Sequence, residues 1–238
     1  MFKERFKALI RGGSGNPPPV PARRVSTAAS SPAGTPRRIA NRQAESCPRT
    51  SRGLEQFFLV IRDTPGLSIL DFSAASQANI TFITNLGHRI YAEDFLDCLD
   101  STFPEDDFFE PQSHPVKAQQ VLDQCLDFPP EHFDGALVWD LLQYVAPPLL
   151  TEVADRLYQV LRPNAYVLAY FSSEERAPLV QNHVYRIADA KTLLLTPRCQ
   201  RPPSQRFTTR SLEKIFARYQ QVKFFLTRDN IREVLVRR

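Results

Sequence analysis

Between residues 68 and 171 the chain repeats one alternation, a short apolar run followed by a segment with apolar residues at helical spacing. The runs are "SILDF", "HRIYAED", "GALVWD" and "YVLAYF", and the helical segments cover 75 to 86, about 117 to 126 and 149 to 161. In the last of these, Leu150, Val153, Ala154, Leu157, Tyr158 and Leu161 recur with the 3.6-residue period of a helix face. Strands buried on both faces read as continuous apolar runs, and their alternation with helices implies parallel strands joined by helical crossovers. The chain is therefore expected to be α/β, a parallel sheet covered by helices on both sides.

The flanks extend this pattern. "GLEQFFLVIRD" places Leu54, Phe57, Phe58 and Ile61 on one helical face and stops at "TPG". Toward the C-terminus, "VYRIADAKTLLLTP" offers strand-like runs, and "TTRSLEKIFARYQQ" predicts a Thr/Ser-capped helix with Leu212, Ile215, Phe216 and Tyr219 inward. "VKFFLTRDN" and "REVLVRR" then predict strands that complete a sheet edge in antiparallel fashion.

The N-terminal fifth is of a different kind. "MFKERFKALIR" sets Phe2, Phe6, Leu9 and Ile10 against Lys3, Lys7 and Arg11, a short basic amphipathic helix over 1–11. Residues 12–50 are rich in Pro, Ser and Arg with almost nothing to bury, which predicts a disordered linker ahead of a domain at 51–238. Residues 1–53 carry 11 Lys+Arg against 2 Asp+Glu, 54–175 carry 5 against 20, and 176–238 carry 14 against 4. The basic balance thus belongs to the two ends, so nucleic-acid binding by the core is not indicated. The basic N-terminal segment suits an acidic partner or an anionic membrane surface. Its Arg- and Ser-rich composition also suits a transit peptide, against which the run of prolines argues.

Cys47, Cys98, Cys125 and Cys199 form no C-x-x-C pair and have no His at ligand spacing, so neither a metal site nor a disulfide framework is expected. With no long apolar span and no secretory leader pattern, a cytoplasmic location is the expectation. His88, His114, His132 and His183 fit no nucleophile or metal pattern, and no catalytic set emerges.

Four segments, in order, carry a resemblance: "SILDFSAASQ", "GHRIYAED", "LDQCLDFPPEHFDGALVWDLLQYV" and "LYQVLRPNAYVLAYF". Together they resemble the class I S-adenosylmethionine-dependent methyltransferases over about residues 54 to 238. The resemblance implies a Rossmann-like seven-stranded, mostly parallel sheet and no metal. It also implies S-adenosylmethionine as cofactor, held by Asp71, Ser73, Ala75, Gln77, Glu93, Asp94, Asp123, Trp139, Asp140 and Tyr144. Asp71 matches the acid before the family's glycine-rich turn. Asp94 matches the acid that holds the ribose hydroxyls, with Glu93 as the alternative acceptor. Asp123 lies nearest the acid that meets the adenine amino group, and Trp139, Asp140 and Tyr144 match the aromatic-acid segment after the fourth strand.

The departures concentrate on the first turn, where Ser73, Ala75 and Gln77 replace three glycines, and on the turn before the fifth strand, where Asn164 and Ala165 replace Gly-Gly. A side chain where φ must be positive costs ~1 to 2 kcal/mol. Asn164 is the best non-glycine choice there. Three readings follow: a divergent methyltransferase, weak or inactive and of unknown substrate, a non-catalytic relative serving as an interaction module, or a nucleotide-binding module that uses the same crevice for another adenine ligand. The residues also have structural readings, Asp71 as a cap for the following helix and Trp139 as core filler. The acidic stretch 93 to 110 reads as a solvated face or as a surface for a basic segment.

Overall fold

In the computed structural model, residues 46–104, 107–174, 177–227 and 229–238 are described. The expected helix at 1–11 and all but the last few residues of the 12–50 segment lie outside them. The elements run β1 (Cys47–Thr50), α1 (Arg52–Ile61), β2 (Ser68–Asp71), α2 (Gln77–Asn85), β3 (Arg89–Ala92), α3 (Phe95–Thr102) and α4 (Pro115–Cys125). They continue with β4 (Phe133–Trp139), α5 (Pro147–Val160), β5 (Leu161–Ser172), β6 (Val180–Asp189), β7 (Thr192–Arg201), α6 (Thr209–Ile215), β8 (Gln221–Leu226) and β9 (Ile231–Arg237).

The main sheet has six strands in the order β3-β2-β4-β5-β9-β8, not seven. The pairs β2–β3, β2–β4 and β4–β5 are parallel, and β9 is antiparallel to both β5 and β8. This is an open, Rossmann-like α/β sheet in which β9 alone runs against the others. The strand-like runs at 180 to 201 form a hairpin that leaves the main sheet and joins β1 in a separate three-stranded sheet, β1-β7-β6. Residues 47 to 50, which composition assigns to the linker, thereby belong to the fold, with Cys47 opposite Leu195 and Thr50 opposite Thr192.

Alternating side chains divide each central strand between two cores. Leu70, Ala136, Val138, Val167, Ala169, Val234 and Val236 face α3, α4, α5 and α6. Ile69, Leu137, Trp139, Leu168, Tyr170 and Leu235 face α1, α2 and the three-stranded sheet. Burial on both faces is why these strands lack polar alternation.

Two glycines permit close layers. A Cβ on Gly135 would lie 2.8 Å from Cζ of Phe57, and one on Gly53 would lie 2.7 Å from Cδ1 of Leu168 and 2.9 Å from Oε2 of Glu233. Gly53 donates its amide to that Glu233 oxygen at 2.5 Å, and Ser51 caps α1 by accepting from Leu54 N at 3.0 Å. Glu233 is fully buried and pairs with Arg49 of β1 at 2.7 Å, while Arg49 also pairs with Asp229 at 2.5 Å. The ion pair fastens the small sheet to the large one. Asn164 has the positive φ (71°) expected of its position, with its amide donating to the Arg238 carbonyl at 2.8 Å.

Candidate functional site

From β2 the chain turns first to β3 on one side and then crosses to β4 on the other, so the order reverses between β2 and β4. In open α/β sheets, ligands bind outside the carboxyl ends of the strands at such a reversal. Here those ends are Asp71 and Trp139.

Asp71 is 1% exposed and accepts four hydrogen bonds. Its Oδ1 receives Ser73 N at 3.0 Å, Ser73 Oγ at 2.7 Å and Trp139 Nε1 at 2.6 Å, and its Oδ2 receives Asn79 Nδ2 at 2.9 Å. Burial raises its pKa, against the effect of the donors from Ser73, Trp139 and Asn79. Asn79, buried in α2, also donates to Tyr185 O at 3.2 Å and accepts from Ile187 N at 2.9 Å, so β6 is stitched to the same cluster.

Trp139 has a positive φ of 54°. For a bulky L-residue this backbone region is unfavourable by about 1–2 kcal/mol and is kept only when the surroundings hold it. Two contacts do so: the indole bond to Asp71, and a stack on Tyr185 with centroids 5.0 Å apart and planes 7° from parallel. Asp140, 3% exposed, accepts from Asn182 Nδ2 at 2.8 Å and from His183 N at 3.3 Å, with the Tyr185 hydroxyl near enough to help stabilise its charge. Burial pushes its pKa up to about 7. Burial and the charge of Arg49 lower the pKa of His183, whose Nδ1 stands 3.9 Å from Asp140 Oδ2.

The remaining space at the reversal is a cavity of about 30 Å³, bounded by Ser73, Asp94, Trp139, Asp140, Tyr185 and Arg198 among others. Roughly 10–15 Å³ of such volume holds one water, whereas pockets for drug-sized ligands run to about 300–1,000 Å³. An adenosine with a methionyl chain does not fit this space. The residues present therefore do not fit S-adenosylmethionine in this conformation.

The structure gathers Asp71, Ser73, Asp94, Trp139 and Asp140 at the crevice, each engaged within the protein. Asp94 caps α3, accepting from Asp97 N at 3.1 Å, and its Oδ1 also meets Arg198 Nη1 at 3.4 Å. Glu93 is half-buried with its pKa raised by burial, and its amide donates to Asp71 O at 2.8 Å. Ala75 and Gln77 are exposed, and the Gln77 side chain donates to Thr81 Oγ1 at 3.0 Å on the outer face of α2. Asp123 lies on the outer face of α4, where Gln119 Nε2 donates to it at 2.6 Å, outside the cavity lining. Tyr144 is buried in the turn after β4, with its hydroxyl accepting from Gln143 Nε2 at 3.1 Å and Arg201 above its ring, also outside that lining.

The sequence reading missed Asn79, Asn182, Tyr185 and Arg198. The acidic 93–110 stretch is in part a helix whose Asp94 and Asp100 meet Arg198 and Arg201 of β7, the latter pair at 2.8 Å. Among the described residues no cluster of three or more His, Cys, Asp or Glu could hold a metal ion. Among them, too, no helix is long and apolar enough to cross a membrane.

No protein-family model and no curated protein matches the chain. Solved structures do resemble it. One is the 1,6-didemethyltoxoflavin-N1-methyltransferase of Burkholderia thailandensis, solved with 1,6-didemethyltoxoflavin and S-adenosylhomocysteine. It shows 14% identity over 79% of each chain and a TM-score of 0.41. Another is an S-adenosylmethionine-dependent methyltransferase from Mesorhizobium loti, with 14% identity over 77% of this chain and 96% of that one and a TM-score of 0.45. A third, from Methanosarcina mazei, gives 13% identity, 75% and 96% coverage and a TM-score of 0.40. At such scores the likeness carries no weight for the site, and the fold class stands on the strand order and directions of this chain.

Proposed function

We propose that this chain is a non-catalytic, methyltransferase-like protein whose Rossmann-like core serves as an interaction module. The observation that carries this reading is the seating of Tyr185 against Trp139 at the reversal between β2 and β4, where the fold class places its ligands. Of the three glycine replacements, one points the same way. Ser73 faces Asp71 and satisfies it, while Ala75 and Gln77 lie on the outside. The acid at the end of β2 thus organises a closed turn. Its neighbours Asn79 and Asp140 bind the backbone and side chains of β6, so the three-stranded sheet is part of the closure.

The reading is tested by calorimetric titration of the full chain with S-adenosylhomocysteine. Absence of saturable heat up to ~1 mM ligand supports it, and a Kd of about 10 μM or tighter refutes it.

A further inference from the structure

Closure of the β2–β4 reversal leaves a second vacancy farther along the same rim. Beside the end of β5 lies a cavity of about 270 Å³, walled by Gln143, Ser172, Val180, Arg206 and Phe207 and by the prolines 178, 202 and 203. Its volume approaches the lower end of small-molecule pockets, about 300 Å³.

The walls are fixed before any ligand arrives. Gln143 is 2% exposed, its Oε1 accepts from Ser172 N at 3.0 Å, and its carbonyl accepts from Ser204 N at 2.8 Å. Prolines hold their own backbone torsions, and such preorganisation lowers the cost of binding. Val180 and Phe207 give the cavity an apolar side.

Charge gives it a sign. Arg206 lies exposed on the lining and pairs with no carboxylate among the described residues. Behind the Phe207 wall, Arg232 is 8% exposed and donates Nη1 to the Phe207 carbonyl at 2.7 Å, while its Nε has no partner. A buried guanidinium without a counter-charge is costly, and Arg232 adds positive potential behind that wall without lining the cavity itself. Glu174, the carboxylate on the lining, is tied to Asn230 Nδ2 at 2.5 Å. Among the described lining residues the carboxylate thus has a partner of its own, and Arg206 is the guanidinium left without a carboxylate partner.

We propose that this cavity binds a small organic anion, a carboxylate or phosphate ester with a short apolar body, and that Arg206 meets its charged group. Guanidinium groups match both oxyanions through paired N–H donors, and the apolar wall receives the body. The site is separate from the closed crevice, and its test does not depend on whether the crevice admits a nucleoside.

The experiment titrates the full chain with benzoate, phenyl phosphate and the neutral isostere benzamide, while amide resonances are followed by NMR. At least one anion is expected to bind with a Kd below ~1 mM, with benzamide weaker by about tenfold or more. Arg206→Ala should weaken the anion by about tenfold and Arg206→Lys by less, because the charge remains. The amides of Ser172, Val180 and Phe207 should shift on saturation. Whichever anion binds tighter identifies the headgroup. The proposal is overturned by no saturable binding of either anion up to ~10 mM, by equal affinity for benzamide, by unchanged affinity in Arg206→Ala, or by shifts confined to exposed cations of α6 such as Arg210 and Lys214.

Discussion

Trp139 Nε1 donates a 2.6 Å hydrogen bond to Oδ1 of Asp71, joining the carboxyl ends of the two strands between which the strand order reverses. In an open α/β sheet a ligand would part these ends. Here the acid has its own donors, and the indole is covered by Tyr185.

Asp71→Ala removes the acceptor of four donors and leaves the indole N–H, Asn79 Nδ2 and the Ser73 donors to find new partners in a buried site. Unpaired buried donors cost about 1–3 kcal/mol each, with partial relaxation expected. Denaturant unfolding of this variant should show a loss of at least about 2 kcal/mol. A loss under ~0.5 kcal/mol would mean that the cluster is not the support of the turn.

Tyr185→Ala takes away a ring, 2% exposed, that is stacked on Trp139. Large-to-small changes of aromatic residues in cores cost about 3–5 kcal/mol. Trp139 is the chain's single tryptophan, so its emission should move to longer wavelength as water enters. Tyr185→Phe keeps the ring and loses only the hydroxyl contact to Asp140, and should cost about 1 kcal/mol with little spectral change.

Arg49→Met leaves Glu233 fully buried without its cation. Breaking one side of a buried pair costs about 3–5 kcal/mol. Chemical denaturation should show that loss, and Arg49→Met with Glu233→Gln together should recover part of it. Residues 47–50 therefore belong in any stable fragment of this protein.

Asp140 gives a pH dependence of definite sign. Its folded pKa, raised to about 7 by burial, lies above the unfolded value near 3.9, so the native state holds a proton that the unfolded state has lost across that interval. Its contribution to stability is full below pH ~4, falls as pH rises, and levels off above pH ~7. His183, with its pKa lowered, acts in the opposite direction below pH ~6.5. The Asp140 effect is isolated by comparison with Asp140→Asn. The difference in unfolding free energy, wild type minus variant, should decline between pH ~4 and ~7, and a flat difference would place the acid outside a buried environment.

The parallel core was legible in the sequence because each strand there is buried on both faces and each helix on one, which writes two distinct periods into the chain. Leu150, Val153, Ala154 and Leu157 of α5 are buried as their spacing implies. The three-stranded sheet was not legible as such. Cys47–Thr50 reads Cys-Pro-Arg-Thr, with no apolar alternation, and pairs with β7 almost 150 residues away, and no local pattern records that partnership. The same non-locality hid the closure. Asn79 and Tyr185 are unremarkable in their own segments, and meet only because β6 lies over α2. Asn164 was readable in advance, since a left-handed turn restricts the residue type by itself.

The most direct measurement is the fluorescence of Trp139, excited at about 295 nm to avoid adenine absorption, as the full chain is titrated with S-adenosylmethionine. The indole forms the wall of the cavity at the strand reversal, so a nucleoside entering there must displace Tyr185 and change its surroundings. The closed-crevice account predicts no saturable change in intensity or wavelength up to ~1 mM ligand. A saturable change with a Kd of about 10 μM, abolished in Asp71→Ala by a folded variant, would show that the crevice opens to the cofactor and would contradict the account.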